Sequence, residues 1–215
     1  MNSRQELEKL FTTWESTFPE HSGKFIRDGI INDELYQTAK VKICFLTKEP
    51  NDEKQQTWNL SDTLNTEFKG IFSIRIAEWS YGIQNNFPPI ESIPATPEQL
   101  QHWLKKTAVV NVKKTGGRSS SDMAEIVKHA QQNKQYLLEQ IRLIKPDILI
   151  AGVGKTKIFE HLFDVKSIKS EDKFDIVKWE GIKVINFYHP SCRISPSKSY
   201  SLLQNAVNSE KFRNL

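Results

Sequence analysis

Short apolar segments alternate with stretches of helical periodicity along this chain, and this alternation limits the folds open to it. The segments that predict buried strands are 41–46, 108–112, 147–151, 174–179 and 183–187. The patterns that predict helices are 4–17, 71–81, 97–106, 122–144, 155–163 and 197–211. The order predicts an α/β fold of three layers, α/β/α, in which helices cover both faces of a mostly parallel central sheet.

The length of 215 residues suits a single domain, which we predict to span residues 1–215. Within it, residues 1–40 are predicted to form an N-terminal helical segment packed on the rest, because Leu7, Phe11 and Trp14 recur at helical spacing. The composition, 38% hydrophobic and 26% charged, excludes intrinsic disorder as a class.

Composition also bears on location and on metal sites. No apolar run approaches the roughly 20 residues of a membrane-spanning helix, and the first residues are polar. We therefore expect a cytoplasmic protein with no membrane partner. The two cysteines are too few for a four-cysteine zinc or iron–sulfur site, and Cys44 is predicted to be a small buried hydrophobe. A net charge of +4 permits nucleic-acid binding without requiring it.

Two predicted strands end in a turn that joins an ionisable side chain to a proline. Glu49 follows the first strand, and His189 follows the last. In an open α/β sheet, ligands bind beyond the carboxyl ends of the strands, so both residues are candidates for chemistry. Asn111 lies inside the apolar strand predicted over 108–112. Its amide is costly to bury without partners, and it offers the donor and acceptor that read the edge of a nucleobase.

Each of these residues also has an ordinary structural explanation. His189 taken alone is the kind of histidine that a protein core accommodates, and Glu49 is the kind of carboxylate found on any solvated surface. Asn111 would serve equally well in a structural hydrogen bond to a neighbouring loop. Many cations follow the strands and would form either one basic rim around a pocket or scattered surface charge. They are Lys48, Lys54, Lys113, Lys114, Arg118, Lys155, Lys157, Arg193 and Lys198.

A glycine-rich turn at residues 152–156 (GVGKT) invites comparison with a phosphate-binding loop. Such a loop needs a further glycine five residues before its Gly-Lys-Thr, and Leu149 occupies that position. We therefore interpret the segment as a tight strand-to-helix turn. Its amides at the start of a helix remain able to meet a phosphate of a polymer.

In this order, the motifs resemble those of the uracil-DNA glycosylase superfamily over roughly residues 41–205. Residues 47–51 (TKEPN) stand where the family has its first motif, directly after the first central strand. Asn111 matches the asparagine with which the family reads uracil, and residues 189–191 (HPS) match its late His-Pro-Ser motif. This chain has Thr47 where the family has glycine, and it lacks the four cysteines of the cluster-bearing branch.

The resemblance implies a uracil-DNA glycosylase-like fold and an enzyme that hydrolyses the N-glycosidic bond of uracil or another deaminated base in DNA. It implies that Glu49 stabilises the oxocarbenium-like sugar or orients water, and that His189 donates a hydrogen bond to the departing base. Asn111 would read the base edge, and Trp58 and Phe68 are candidates for stacking on the base. The residues implied to bind DNA phosphates are Lys48, Lys113, Arg118, Ser191 and Arg193.

The resemblance implies no metal and no other cofactor. The expected partner is DNA, single- or double-stranded, and we expect the chain to bind it as a monomer. Residues 47–49 (TKE) depart most from the family's first motif, and they favour an alternative. In that alternative the chain is a catalytically inactive or repurposed nucleic-acid-binding protein of the same fold.

Overall fold

A seven-stranded sheet runs through the part of the chain that the computed structural model describes, residues 3–154, 158–170 and 172–215. The strands in chain order are β1 (Ile26–Arg27), β2 (Gly29–Ile30), β3 (Ile43–Thr47), β4 (Trp58–Asn59), β5 (Thr107–Asn111), β6 (Ile148–Ala151), β7 (Ile168–Lys169), β8 (Asp175–Trp179) and β9 (Ile182–Asn186). Their order across the sheet is β2-β5-β3-β6-β9-β8-β7, and β1 pairs separately with β4.

The four central strands are parallel, but the sheet as a whole is mixed. Strand β2 runs antiparallel to β5 at one edge, and β8 runs antiparallel to both β9 and β7 at the other. The prediction of a mostly parallel sheet is therefore wrong. Only Glu180 and Gly181 connect β8 to β9, both with positive φ, and so short a connection joins antiparallel neighbours.

Helices pack against both faces of the sheet. In chain order they are α1 (Ser3–Thr17), α2 (Asp33–Gln37), α3 (Leu60–Thr66), α4 (Gly70–Gln84), α5 (Pro97–Lys105), α6 (Met123–Gln132), α7 (Lys134–Ile144), α8 (Ile158–Phe163), α9 (Pro196–Asn208) and α10 (Glu210–Arg213). Alternate residues of a strand point to opposite faces. In β3, Cys44 and Leu46 pack with α1, α6, α7 and α8, whereas Ile43 and Phe45 pack with α4, α5 and α9. The predicted α/β class is confirmed.

The N-terminal segment contributes more than the predicted helix. Trp14 of α1 is fully buried, and its Nε1–H donates a hydrogen bond to Oδ1 of Asn133 at 2.9 Å. Its ring also stacks on Tyr136 of α7, with the ring centroids 5.3 Å apart. Farther along, β2 adds an edge strand to the sheet. Residues 19–40 therefore contain strand pairing, which the prediction of a helical segment over 1–40 did not include.

The long helix predicted over 122–144 is two helices, α6 and α7, which meet at Asn133. The Asn133 side chain accepts the hydrogen bond from Trp14 and contacts Nδ1 of His129 at 3.3 Å. Asparagine competes for backbone-type hydrogen bonds and favours helix ends over helix interiors. The break thus coincides with a tertiary contact to α1.

Two other segments differ from expectation or lie outside the described residues. Residues 51–70, for which the sequence predicts neither strand nor helix, contain β4 and α3, and Asn59 caps α3 by accepting hydrogen bonds from the amides of Ser61 and Asp62. Of the helix predicted over 155–163, the structure describes Ile158–Phe163; residues 155–157, with two of the predicted cations, lie outside the described residues.

Within the described ranges, no helix has both the length and the apolar character needed to cross a membrane. Both cysteines are free thiols. Cys44 is fully buried in β3, as predicted, and burial raises the pKa of its thiol well above the ordinary value.

Candidate functional site

The candidate site begins where β3 and β5 continue to run side by side beyond their last residues. The amide of Lys113 donates to the carbonyl of Lys48 at 2.9 Å, and the amide of Gly117 donates to the carbonyl of Pro50 at 2.8 Å. The segments 48–52 and 112–117 are therefore held together by backbone hydrogen bonds. This pairing brings Glu49 next to Lys113.

Glu49 is held in an ion pair. Its Oε2 accepts a hydrogen bond from Nζ of Lys113 at 2.8 Å, and only 4% of its side chain is exposed. Nζ of Lys113 also donates to Glu125 of α6 at 3.1 Å. Burial acts to lower the pKa of Lys113, but its hydrogen bonds to Glu49 and Glu125 outweigh burial and raise it. Lys113 is therefore a fixed cation that two carboxylates share.

A cavity of about 860 Å³ opens beside this ion pair, and we name it the Glu49 cavity. It lies between the 113–121 loop, α6 and residues 20–24. Its lining includes the charged residues Glu20, Lys24, Glu49, Lys113, Arg118, Asp122, Glu125 and Lys128. Of the predicted site residues, this cavity gathers Glu49, Lys113 and Arg118. Its volume is in the range of small-molecule sites, but its walls are far more charged than is usual for them.

His189 lies at the end of β9, in residues 188–195, which we name the His189 loop. The amide of Ser191 donates a hydrogen bond to Nδ1 of His189 at 3.1 Å. Burial lowers the pKa of His189 to about 4, and the positive charge of Lys48 adds to this effect. The imidazole is therefore neutral at physiological pH. Because Nδ1 accepts, the proton is on Nε2.

Close packing holds the His189 loop against the end of β6. A Cβ on Gly152 would lie 2.9 Å from Cα of His189, so this position needs glycine. On its other side the His189 ring faces Phe72 of α4, with ring centroids 5.9 Å apart. The sequence did not indicate Phe72 as a site residue. Its helical spacing indicated a helix, and nothing in that spacing distinguished it from other core residues.

Glu49 and His189 face different neighbours. Successive side chains of an extended segment point in opposite directions, so Lys48 acts on His189 while Glu49 turns toward Lys113. Accordingly, the lining of the Glu49 cavity does not include His189. Strand β6 alone separates β3 from β9, and with about 4.8 Å between neighbouring strands their ends lie roughly 10 Å apart.

Asn111 lies in a buried network. Its Oδ1 accepts a hydrogen bond from the hydroxyl of Thr47 at 2.8 Å, and its Nδ2 donates to Oδ2 of Asp28 at 3.2 Å. Oδ1 of Asp28 accepts from Nζ of Lys114 at 2.5 Å and from Nε2 of Gln140 at 2.8 Å. These contacts correspond to the structural role that the sequence left open for Asn111, since they occupy one donor and one acceptor of its amide.

The other predicted site residues lie around the Glu49 cavity and the His189 loop. Trp58 donates its Nε1–H to Asp52 at 3.1 Å, and Phe68 packs against the apolar core. Ser191 and Arg193 are exposed on the His189 loop. The candidate site is thus two adjacent surfaces, the Glu49 cavity and the His189 loop, at the carboxyl edge of one parallel sheet.

Gly117 makes the geometry of Glu49 testable. A Cβ at this position would lie 2.0 Å from Cδ of Glu49. Gly117→Ala should therefore displace the Glu49 carboxylate and lower the free energy of unfolding by about 1–3 kcal/mol, the usual effect of overpacking. Urea unfolding measures this, and Gly117→Ala in a Glu49→Ala background is the control. An equal loss in both backgrounds would show that the clash with Glu49 is not the cause.

Comparison with known protein families and with curated proteins identifies no relative of this chain. The chain matches no protein-family model. It also has no significant match among curated proteins. The chemistry of the site must therefore be argued from its own residues.

Proposed function

We propose that this chain has a uracil-DNA glycosylase-like fold and hydrolyses the N-glycosidic bond of uracil or another deaminated base in DNA. The proposal is supported mainly by the protonation state and the position of His189. Its imidazole is neutral, its Nε2–H has no partner among the described residues, and it stands at the carboxyl edge of the sheet. In this proposal the protein acts as a monomer in the cytoplasm.

A fixed neutral donor suits the departure of a base. Cleavage leaves negative charge on the base, and a preorganised N–H in a poorly hydrated place stabilises that charge most where it develops. Lys48 adds a positive charge nearby. The Phe72 ring, 5.9 Å from the imidazole, offers an apolar surface for the flat face of a base.

Glu49 supplies the opposite charge. Its Oε2 is paired with Nζ of Lys113, and its Oε1 has no hydrogen-bond partner among the described residues. A nucleotide whose base lies at His189 would have to cross the roughly 10 Å between the ends of β3 and β9 and enter the Glu49 cavity to bring its sugar to this carboxylate. There Glu49 would stabilise the cationic sugar, and it would accept a proton from the water that attacks C1′ as the C1′–N bond breaks. The departing base takes a proton from solvent.

A second function, nucleic-acid binding without catalysis, is favoured by the contacts that Glu49 and Asn111 make. Lys113 neutralises Glu49, and Gly117 closes over its carboxylate. The amide of Asn111 is engaged by Thr47 and Asp28. A chain that kept the fold but lost excision would retain its basic residues Lys48, Arg118 and Arg193 for phosphate contacts.

An excision assay separates the two functions. Labelled oligonucleotides that contain one uracil, hypoxanthine or xanthine are incubated with the protein, and alkali converts abasic sites into strand breaks. We expect breaks with at least one base, and Glu49→Gln should lower the rate about 100-fold or more. Glu53→Gln, an exposed carboxylate four residues away, is the matched control and should leave the rate unchanged.

Two outcomes would decide against the enzyme. No abasic product from any of the three bases would contradict glycosylase activity. If the protein then bound DNA with an affinity that falls steeply as salt rises, the second function would stand.

A further inference from the structure

Exposed apolar side chains gather around the His189 loop. Among the described residues, the exposed large hydrophobics are Ile71, Ile74, Tyr188 and Ile168, each between 37% and 51% exposed. Three of these four lie in or beside the His189 loop: Tyr188 is its first residue, and Ile71 and Ile74 face the loop from α4. Large exposed apolar groups that cluster in this way indicate a contact surface.

Ile71 and Ile74 line a groove of about 380 Å³ together with Cys192, Arg193 and Ile194 of the His189 loop. We name it the α4 groove. Phe72, between the two isoleucines in sequence, turns inward to the His189 ring. The groove is therefore adjacent to His189, and a chain bound at His189 has a direct path along it.

The floor of the groove is rigid. Arg75 is almost fully buried beneath it, and its guanidinium donates to Oγ of Ser199 at 2.6 Å and to the carbonyl of Ile194 at 3.2 Å. It also pairs with Glu78 at 3.4 Å. These contacts join α4, the His189 loop and α9. They therefore fix the position of Ile71 and Ile74 relative to the loop.

Charge in the groove favours an anionic chain with flat apolar groups. Arg193 is exposed and has no ion pair among the described residues. The one acidic residue of the lining, Glu78, faces the buried Arg75, which compensates its charge. Apolar side chains next to a free guanidinium match a nucleic acid, whose bases lie on apolar surface while a cation contacts the phosphate.

We propose that the α4 groove binds the nucleotides next to the target base and that it selects single-stranded over duplex DNA, an inference that rests on the proposed function. Bases in a duplex are already stacked on one another. Unstacking two adjacent base pairs costs a few kcal/mol, and this must happen before Ile71 and Ile74 can contact a base face. A single strand presents those faces without that cost.

The test is binding of a fluorescent oligonucleotide that contains no deaminated base, followed by anisotropy. Wild type should bind the single strand more tightly than the duplex of equal length. The double variant Ile71→Ser/Ile74→Ser should lose about tenfold in single-strand affinity, equal to about 1.4 kcal/mol, and little in duplex affinity. Ile168→Ser, an exposed isoleucine of β7, is the matched control and should bind as wild type does.

Other outcomes would overturn the inference. They are equal affinity for the two forms, equal loss in the Ile168→Ser control, or a dimer that the double variant dissociates, which would identify a second copy as the occupant. Thermal melting of the variants checks that they fold. Because the assay needs no excision, single-strand preference without abasic product would contradict the proposed activity and leave the groove in place.

Discussion

Replacing Asp28 with alanine is expected to lower the free energy of unfolding by about 3–5 kcal/mol, because it would leave the buried ammonium group of Lys114 without its ion-pair partner. The side chains of Asp28 and Lys114 are both fully buried, and Lys114 donates to Oδ1 of Asp28 at 2.5 Å. Gln140 contacts both partners. Urea unfolding of the variant and wild type measures the change.

Two comparisons make this result specific. Asp62→Ala removes the partner of an exposed ion pair with Arg4 and should cost less than about 1 kcal/mol. The double variant Asp28→Leu/Lys114→Met replaces both charges with apolar groups and should recover much of the loss. A loss below about 1 kcal/mol in Asp28→Ala would show that the buried pair does not depend on both charges.

Replacing His189 with alanine is expected to slow base excision by about 100- to 1000-fold, the usual effect of removing one preorganised donor. Binding of DNA should change little, because the phosphate contacts are made by other residues. Single-turnover excision measures the rate, and anisotropy measures the binding. His102→Ala removes an exposed imidazole on α5 and is the control.

The pH profile of wild type gives an independent check on His189. Its pKa of about 4 means that the imidazole stays neutral as the pH falls from 8 to about 5. Nδ1 gains a proton only near pH 4, so the His189 contribution should be constant from pH 8 down to about pH 5. A loss of rate centred near 6.5, the ordinary value for histidine, would contradict a neutral donor at His189.

Local patterns in the sequence predicted much of the fold and less of the site. The central strands and most helices follow from apolar periodicity, which acts over a few residues. The break at Asn133 coincides with a hydrogen bond from Trp14, 119 positions earlier in the chain. The antiparallel edge strand β2 has two residues, too few to show an alternation. Both features depend on contacts that no local pattern contains.

The candidate site shows the same limit. The sequence indicated Glu49 and His189 because each follows a strand, and parallel strands end at one edge. It did not indicate that Glu49 turns toward Lys113 and Glu125, because that depends on the pairing of segments beyond β3 and β5. It left the role of Asn111 open, and the partners that occupy its amide, Asp28 and Thr47, come from distant parts of the chain.

Lys113 and Lys114 are neighbours in sequence, yet they occupy opposite environments. The first points to the Glu49 cavity, and the second to Asp28 beneath it. A shift of one residue in the pairing of the two segments would exchange their directions. Because both residues are lysines, one of the two carboxylates would still face a lysine, but the other would face an uncharged side chain and its buried charge would lose its compensation. The lysine pair therefore favours one alignment of the two segments. The buried Asp28 network and the wall of the Glu49 cavity both depend on that alignment.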